Sequence, residues 1–276
     1  MKQFLTYLFI ALFALSAVSC KKDKDEKVQL LKTITFHCGI PTYDSPYSNP
    51  PTSAYLNFEY DNQKRITSMF LSLVDDDGAL FNSYTATLLY NGNDLIAQKG
   101  DIPFQIRTQQ EGYSYKPILI RQNAIDEPLD FAKKENKITV HKQGQHIATI
   151  EMNSDGYPIK DSLLMDDNVW FTNYVWRYLD GNLVSRSYVN DNFDRQTFKY
   201  DNKKSPFYHC QTPKWFLLYY HKVLLSFEIK NNKIEWIERD SHNHELSIKY
   251  TYKYNSNGFP TEMYINGEPT ATFTYY

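Results

Sequence analysis

Apolar and polar residues alternate through most of the chain beyond residue 55. Ile248, Tyr250, Tyr252 and Tyr254 fall on one face of an extended segment, and Ser247, Lys249, Thr251 and Lys253 fall on the other. Leu225, Phe227 and Ile229 repeat the scheme, as do Tyr174, Trp176 and Tyr178, and then Ala271, Phe273 and Tyr275. Successive side chains of a strand point to opposite faces, so this pattern predicts antiparallel sheet with one dry face and one wet face. Helical periodicity is absent beyond a few turns. Its nearest approach is Trp215 to Leu225, which is still read as strand. Upstream lie one apolar strand, Val28 to His37, and a loop holding Pro41, Pro46, Pro50 and Pro51.

Turn signals punctuate the strands. Asn91-Gly92, Asp155-Gly156, Asp180-Gly181 and Asn257-Gly258 supply residues that tolerate positive φ. Lys230-Asn231-Asn232-Lys233 is read as a tight hairpin between Leu225–Ile229 and Ile234–Ile237, and Gly267-Glu268-Pro269 as the last one. Such short links predict that neighbours in sequence are neighbours in the sheet. Four segments align without gaps, starting at Tyr60, Met152, Tyr200 and Tyr254. Each has an apolar strand end, then Asp or Asn, then a tight position, and finally Pro or Ile. Proline recurring at one phase predicts an edge or a bulge there. The fold expected is all-β: a single large antiparallel meander over residues 28–276, strongly curved or barrel-like, and water-soluble. Many long strands would otherwise leave a bare edge.

The N-terminus reads differently. Lys2 precedes a short apolar run from Phe4 to Val18, then small residues, Cys20 and lysines. This is the pattern of a secretory leader, too short for a comfortable membrane span. Ala17-Val18-Ser19-Cys20 resembles the lipobox of bacterial lipoproteins, with Ala17 where Leu is commoner. That resemblance implies a signal peptide over 1–19, lipidation of Cys20, and a charged tether over 20–27. KKDKDEK, residues 21–27, cannot bury apolar area. Directly after the cysteine, this charged stretch resembles the surface-export signals of Bacteroidetes lipoproteins, which implies outer-membrane anchoring at the cell surface, with a periplasm-facing anchor as the alternative.

A second resemblance rests on Phe58-Glu59-Tyr60-Asp61-Asn62-Gln63-Lys64-Arg65-Ile66-Thr67, which looks like the YD repeats of Rhs-type proteins. Lys64 stands where Gly is expected, and the other copies lack Arg. With the lipobox and Tyr200-Asp201-Asn202-Lys203-Lys204-Ser205-Pro206-Phe207, the chain resembles Bacteroidetes lipoproteins, some of them described as porin-like. This implies a barrel-like sheet and no activity.

Composition and charge narrow the chemistry. Lys+Arg is 30 and Asp+Glu 32, so no basic excess points to nucleic acid. Tyr 23 and Phe 17 stand against Gly 10, which suits pleated, half-buried surfaces. Cys38 and Cys210 form a disulfide or remain as buried thiols. Each follows a histidine, but adjacent strand residues face opposite ways, which disfavours zinc. His242 and His244 are the most metal-like local pair, in a segment read as a polar loop. Asp75-Asp76-Asp77-Gly78 and Asn190 to Asp194 are read as solvated turns without calcium spacing. No nucleophile elbow, P-loop or His-Glu-x-x-His is present, so no catalytic residue, enzyme activity or cofactor is expected. Trp170, Trp176, Trp215 and Trp236 either pack in the core or stack on sugar rings. The expected role is non-enzymatic binding in the cell envelope, with glycan or an envelope protein as partner. A structural or partner-docking lipoprotein is the alternative and a hydrolytic enzyme the third. The lipid is the expected membrane contact.

Overall fold

The structure is a computed structural model that describes residues 27–37, 53–75, 77–102, 104–111, 114–121, 128–164, 170–189, 194–220, 228–240, 242 and 244–276; at 81, 104–121, 164, 170–173 and 219–220 it describes the backbone alone. The leader, Cys20, the segment that follows to residue 26, and Cys38 lie outside these residues. The strands are β1 (Leu31–Phe36), β2 (Ser53–Tyr60), β3 (Ile66–Val74), β4 (Leu80–Asn91), β5 (Asp94–Gly100), β6 (Phe104–Glu111), β7 (Ser114–Arg121), β8 (Leu129–Lys134) and β9 (Lys137–Lys142). They continue as β10 (Gln145–Met152), β11 (Pro158–Leu164), β12 (Trp170–Leu179), β13 (Asn182–Tyr188), β14 (Gln196–Lys204), β15 (Asn231–Arg239), β16 (Glu245–Tyr254), β17 (Pro260–Ile265) and β18 (Glu268–Tyr275).

Among the described residues, sixteen strands close into an antiparallel meander barrel. β1 pairs with both β2 and β18, so the barrel itself is closed. β6 and β7 form a separate two-stranded sheet, and β5 pairs directly with β8. The topology gives the barrel two ends. At the near end lie the start of β1, the end of β18, and the turns β2–β3, β4–β5, β8–β9, β10–β11, β12–β13 and β16–β17. The β14–β15 connection also leaves and re-enters the barrel at the near end, and the β3–β4, β9–β10, β15–β16 and β17–β18 turns lie at the far end.

One turn design recurs. Asp61, Asp75, Asn153 and Asn255 each accept, on one side-chain oxygen, the N–H groups two and four residues on, at 2.8–3.1 Å. The third residue on has positive φ in every case: Lys64, Gly78, Gly156 and Gly258. An Asx side chain thus replaces the ladder partners that the tip lacks. Three of the four aligned segments build this turn. The fourth does not. Asp201 accepts from the Lys203 N–H at 2.9 Å, but β14 runs on, and Asp201 also accepts from the Asn232 N–H and the Tyr254 hydroxyl. The acidic Asp75 loop, by contrast, is a further copy.

The strand leaving a hairpin often carries one residue too many. Tyr60 faces Ile66 while Glu59 faces Ser68, so Thr67 has no opposite number. Val184, Ile234 and Thr261 are surplus in the same way in β13, β15 and β17. Proline sits at such a bulge at Pro158 and Pro260, as its phase predicts. Each bulge bends the strand and sharpens its twist, which curls the meander into a barrel. It also removes a ladder partner from a carbonyl. Tyrosine on the next strand supplies a replacement: Tyr90 donates to Ile66 O (2.9 Å), Tyr200 to Leu183 O (2.6 Å), Tyr252 to Lys233 O (2.9 Å) and Tyr275 to Pro260 O (2.8 Å).

The inner face is dry. Ile34, Phe36, Leu56, Ile66, Met69, Leu71, Val140 and Ile150 are fully buried. Round barrels of ~16 strands leave a wet lumen, so this one has to be filled. The β14–β15 connection does so at the near end. Phe207 meets Phe58 edge-on at 5.6 Å, and Trp215 and Phe216 both pack on Phe131. Thr212 Oγ1 accepts the Ile66 N–H at 2.7 Å. Where Trp215–Leu225 reads as strand, the structure has helical residues and a π-helical turn, Phe216–Tyr220. Trp215, Phe216, Leu217 and Leu218 are apolar and all buried, so nothing rewards an alternating pattern. The hairpin expected at Lys230–Lys233 is also replaced. β15 starts at Asn231 and pairs with β14, and the Asn231 and Asn232 side chains bind Lys203 O and Lys204 O.

The outer face carries cross-strand ion pairs: Lys199–Glu235 at 2.7 Å, Lys253–Glu262 at 2.9 Å and Lys137–Glu151 at 3.0 Å. A wall facing hydrocarbon would be apolar there. At these strand pairs the outer face suits water.

Two outcomes follow from the tyrosine–bulge bonds. Replacing Tyr90, Tyr200, Tyr252 or Tyr275 by Phe strands a buried carbonyl and should lower unfolding free energy by about 1–3 kcal/mol each in urea titrations. Tyr178→Phe should cost little, because the Tyr178 hydroxyl is buried without a hydrogen-bond partner. Burial also pushes the Tyr90, Tyr200, Tyr252 and Tyr275 hydroxyls above their usual value of 10.0. Raised values in the fold mean that their contribution is complete below pH ~10 and is lost as pH rises beyond it. Tyrosinate absorbance should therefore appear together with loss of strand signal in one alkaline transition.

Candidate functional site

The far-end mouth offers the most chemistry. Rows of inward side chains run across β12 to β16, because antiparallel register places them opposite one another. The row nearest the mouth is Tyr174 facing Tyr188. Their rings stack at 4.6 Å with 23° between planes, and their hydroxyls meet at 3.1 Å. Burial, with the Tyr188 bond second, pushes the Tyr174 hydroxyl up to about 12.

The next row reads Trp176, Arg186, Gln196, Glu238, Leu246. The Arg186 guanidinium lies over Tyr174 at 4.6 Å and over Trp176 at 5.7 Å. Its Nε donates to Gln196 Oε1 at 2.8 Å, and Gln196 Nε2 donates to Glu238 Oε1 at 3.1 Å. Arg195 covers Tyr188 at 5.1 Å. Stacking and relay together fix the orientation of Arg186, Gln196 and Glu238. A third row, Phe198 facing Trp236, lies deeper. Below it the Lys233 ammonium meets Glu228 at 3.3 Å, with both side chains 5% exposed. The interior thus passes from polar and aromatic at the mouth to the Lys233–Glu228 pair within the core. An open cleft of 570 Å³ flanks the mouth, bounded by Arg195, Glu238, Leu246 and the β15–β16 turn.

Of the four tryptophans, the structure brings Trp176 and Trp236 to this inner face, one buried and one half-buried. Trp215 is core under the near end. Trp170 lies in β12, and its side chain is outside the described residues. His242 and His244 sit on the β15–β16 turn, with rings 5.9 Å apart. Asp240 accepts both of their N–H groups, at 2.7 and 2.9 Å, and contacts His244 Nδ1 at 3.0 Å. The His244 N–H, foremost among these contacts, holds the Asp240 carboxyl below the usual range. The pair belongs to the same Asx turn seen elsewhere. Among the described residues no group of three or more His, Cys, Asp or Glu is placed to hold a metal.

Cys210 carries a free, buried thiol, while Cys38 lies outside the described residues. Burial pushes the Cys210 thiol up to about 11. It borders a second cleft of 590 Å³ between the β14–β15 connection and the near-end turns. Arg186, Tyr188, Gln196 and Glu238 are the residues sequence reasoning missed. Alternation gives the face each occupies, but only register makes them neighbours.

No protein-family model matches the chain, and no curated protein matches it. A crystal structure of a porin-like protein from Bacteroides uniformis matches at a TM-score of 0.37 and 14% identity, over 89% of this chain and 97% of that one. A likeness of that size carries no argument about this chain's role.

The buried thiolate-disfavouring site of Cys210 predicts its reactivity. Cys210 should be inert to Ellman's reagent in the folded protein at pH 8 and should react within seconds in denaturant, located by peptide mapping.

Proposed function

We propose that this chain is a lipid-anchored cell-envelope binding protein whose far-end mouth takes a glycan without chemical conversion. The observation that carries this reading is the Tyr174–Tyr188 stack with Arg186 laid over it, beside the Gln196–Glu238 relay. A sugar ring presents apolar C–H faces and a rim of hydroxyls that both donate and accept. Such a ligand wants flat aromatic surface together with fixed donors and acceptors. Arg186 donates, Glu238 accepts, and Gln196 does both. Trp176 and Trp236 extend the aromatic floor below. Support for the location comes from the leader and lipobox pattern ending at Cys20, and for surface display from the charged segment after it.

A filled interior argues against a conduit, and the wet outer face argues for a barrel held by lipid rather than by hydrocarbon-facing strands. A polysaccharide array probed with the lipidated protein tests the reading. Binding to a defined glycan should weaken at least tenfold in Tyr188→Ala, with the circular dichroism spectrum unchanged. Silence across the array, or a Tyr188→Ala variant that binds as well as the parent, would defeat it.

A further inference from the structure

Charge is unevenly shared between the two ends of the barrel. The near-end turns gather Lys64, Lys133, Lys134, Lys203, Lys214 and Lys230, and basic side chains outnumber acidic ones there. Two of the near-end acids are tied up: Asp61 by Arg65 at 2.6 Å and Asp94 by Lys133 at 2.9 Å. Glu135, Asp155, Asp180 and Asp201 remain. Lys134 and Lys203 are exposed. Lys214 and Lys230 donate to the main-chain carbonyls of Asp155 and Asp180, at 3.0 and 2.6 Å. The far end has the opposite balance. Among the described residues Asp75, Asp77, Asp101, Asp194, Asp240, Glu245 and Glu268 there outnumber Lys99, Lys142, Arg195 and Arg239.

The chain also reaches the barrel at the near end. The Gln29 N–H donates to His209 Nδ1 at 3.0 Å, Asn255 donates to Gln29 Oε1 at 3.2 Å, and the Tyr276 N–H donates to Leu30 O at 3.0 Å. Lys27 stands seven positions beyond Cys20, a reach of at most about 25 Å when fully extended. An acyl group on Cys20 would therefore hold the near end close to the bilayer whatever the charges do. A tether alone leaves the barrel free to tip onto its side. A basic rim facing the membrane and acidic loops at the opposite end remove that freedom, since anionic headgroups attract one and repel the other.

We propose that the near-end rim seats on anionic lipid headgroups, so that the barrel stands upright and presents its far-end mouth away from the anchoring membrane. The upright orientation rests on the lipid anchoring proposed above; the rim's affinity for headgroups does not. A basic side chain at an anionic surface is worth roughly a fivefold change in partition, and the effect fades with salt.

The test uses residues 20–276 purified without acyl groups and vesicles of phosphatidylglycerol and phosphatidylcholine. The protein should sediment with the mixed vesicles at low salt and not with pure phosphatidylcholine. The triple variant Lys64→Gln/Lys134→Gln/Lys203→Gln should lose about a hundredfold in partition while keeping its circular dichroism spectrum. All three side chains are on turns or strand ends, away from the core. Equal binding to neutral vesicles, or a triple variant that binds undiminished, would overturn the proposal and leave lipidation of Cys20 untouched. In the lipidated protein, a click-labelled azidophenylalanine at Gln63 should transfer energy to a bilayer dye more strongly than one at Glu268. The reverse order would overturn the upright orientation.

Discussion

A surplus residue after the hairpin tip, answered by a tyrosine hydroxyl on the following strand, is the device on which this barrel depends. Without the surplus residue the sheet would curl too little for β18 to reach β1. Without the hydroxyl, a main-chain carbonyl would be left unpaired in a dry interior. Ile66, Leu183, Lys233 and Pro260 all hold that position, and the residue type hardly matters because the carbonyl is what is recognised. The abundance of tyrosine in this chain has a mechanical reason. The ring occupies apolar space and its tip completes the ladder.

Much of this was legible from residues alone, and the rest was not for definable reasons. The alternation at Ile248 to Tyr254 gave both the strand and its dry face. Asn153, Asn255 and Asp61 announced their turns, because an Asx side chain followed by a residue tolerant of positive φ acts locally. Pro260 marked a bulge for the same local reason. What failed was non-local. Tyr200-Asp201 looks like the other copies, yet Asn232 and Tyr254, far away in sequence, bind Asp201 and keep β14 running. Trp215 to Tyr220 is apolar throughout, and such a run is strand or buried helix depending on whether neighbours pair with it. Trp176 was visible as a candidate, but Arg186 beside it was not, since cross-strand neighbours depend on register.

The candidate site follows from the same architecture. The near end is filled by the chain's own β14–β15 connection, which leaves the polar and aromatic rows to the far end. Gln196 stands between an arginine and a carboxylate, so its amide orientation is dictated from both sides. Deeper in, the Lys233–Glu228 pair is affordable only because each partner satisfies the other away from water. Polarity therefore rises toward the mouth.

Closure by β1 against β18 has a kinetic consequence. Leu31 lies opposite Tyr275, so the seam joins segments near the two extremes of the polypeptide. Long-range pairing of this kind slows folding, because the entropy of loop closure is surrendered before the contacts form. The meander can zip hairpin by hairpin, yet its first strand keeps one edge unsatisfied until the last has been delivered. During that interval β1 is the segment most open to association with another chain.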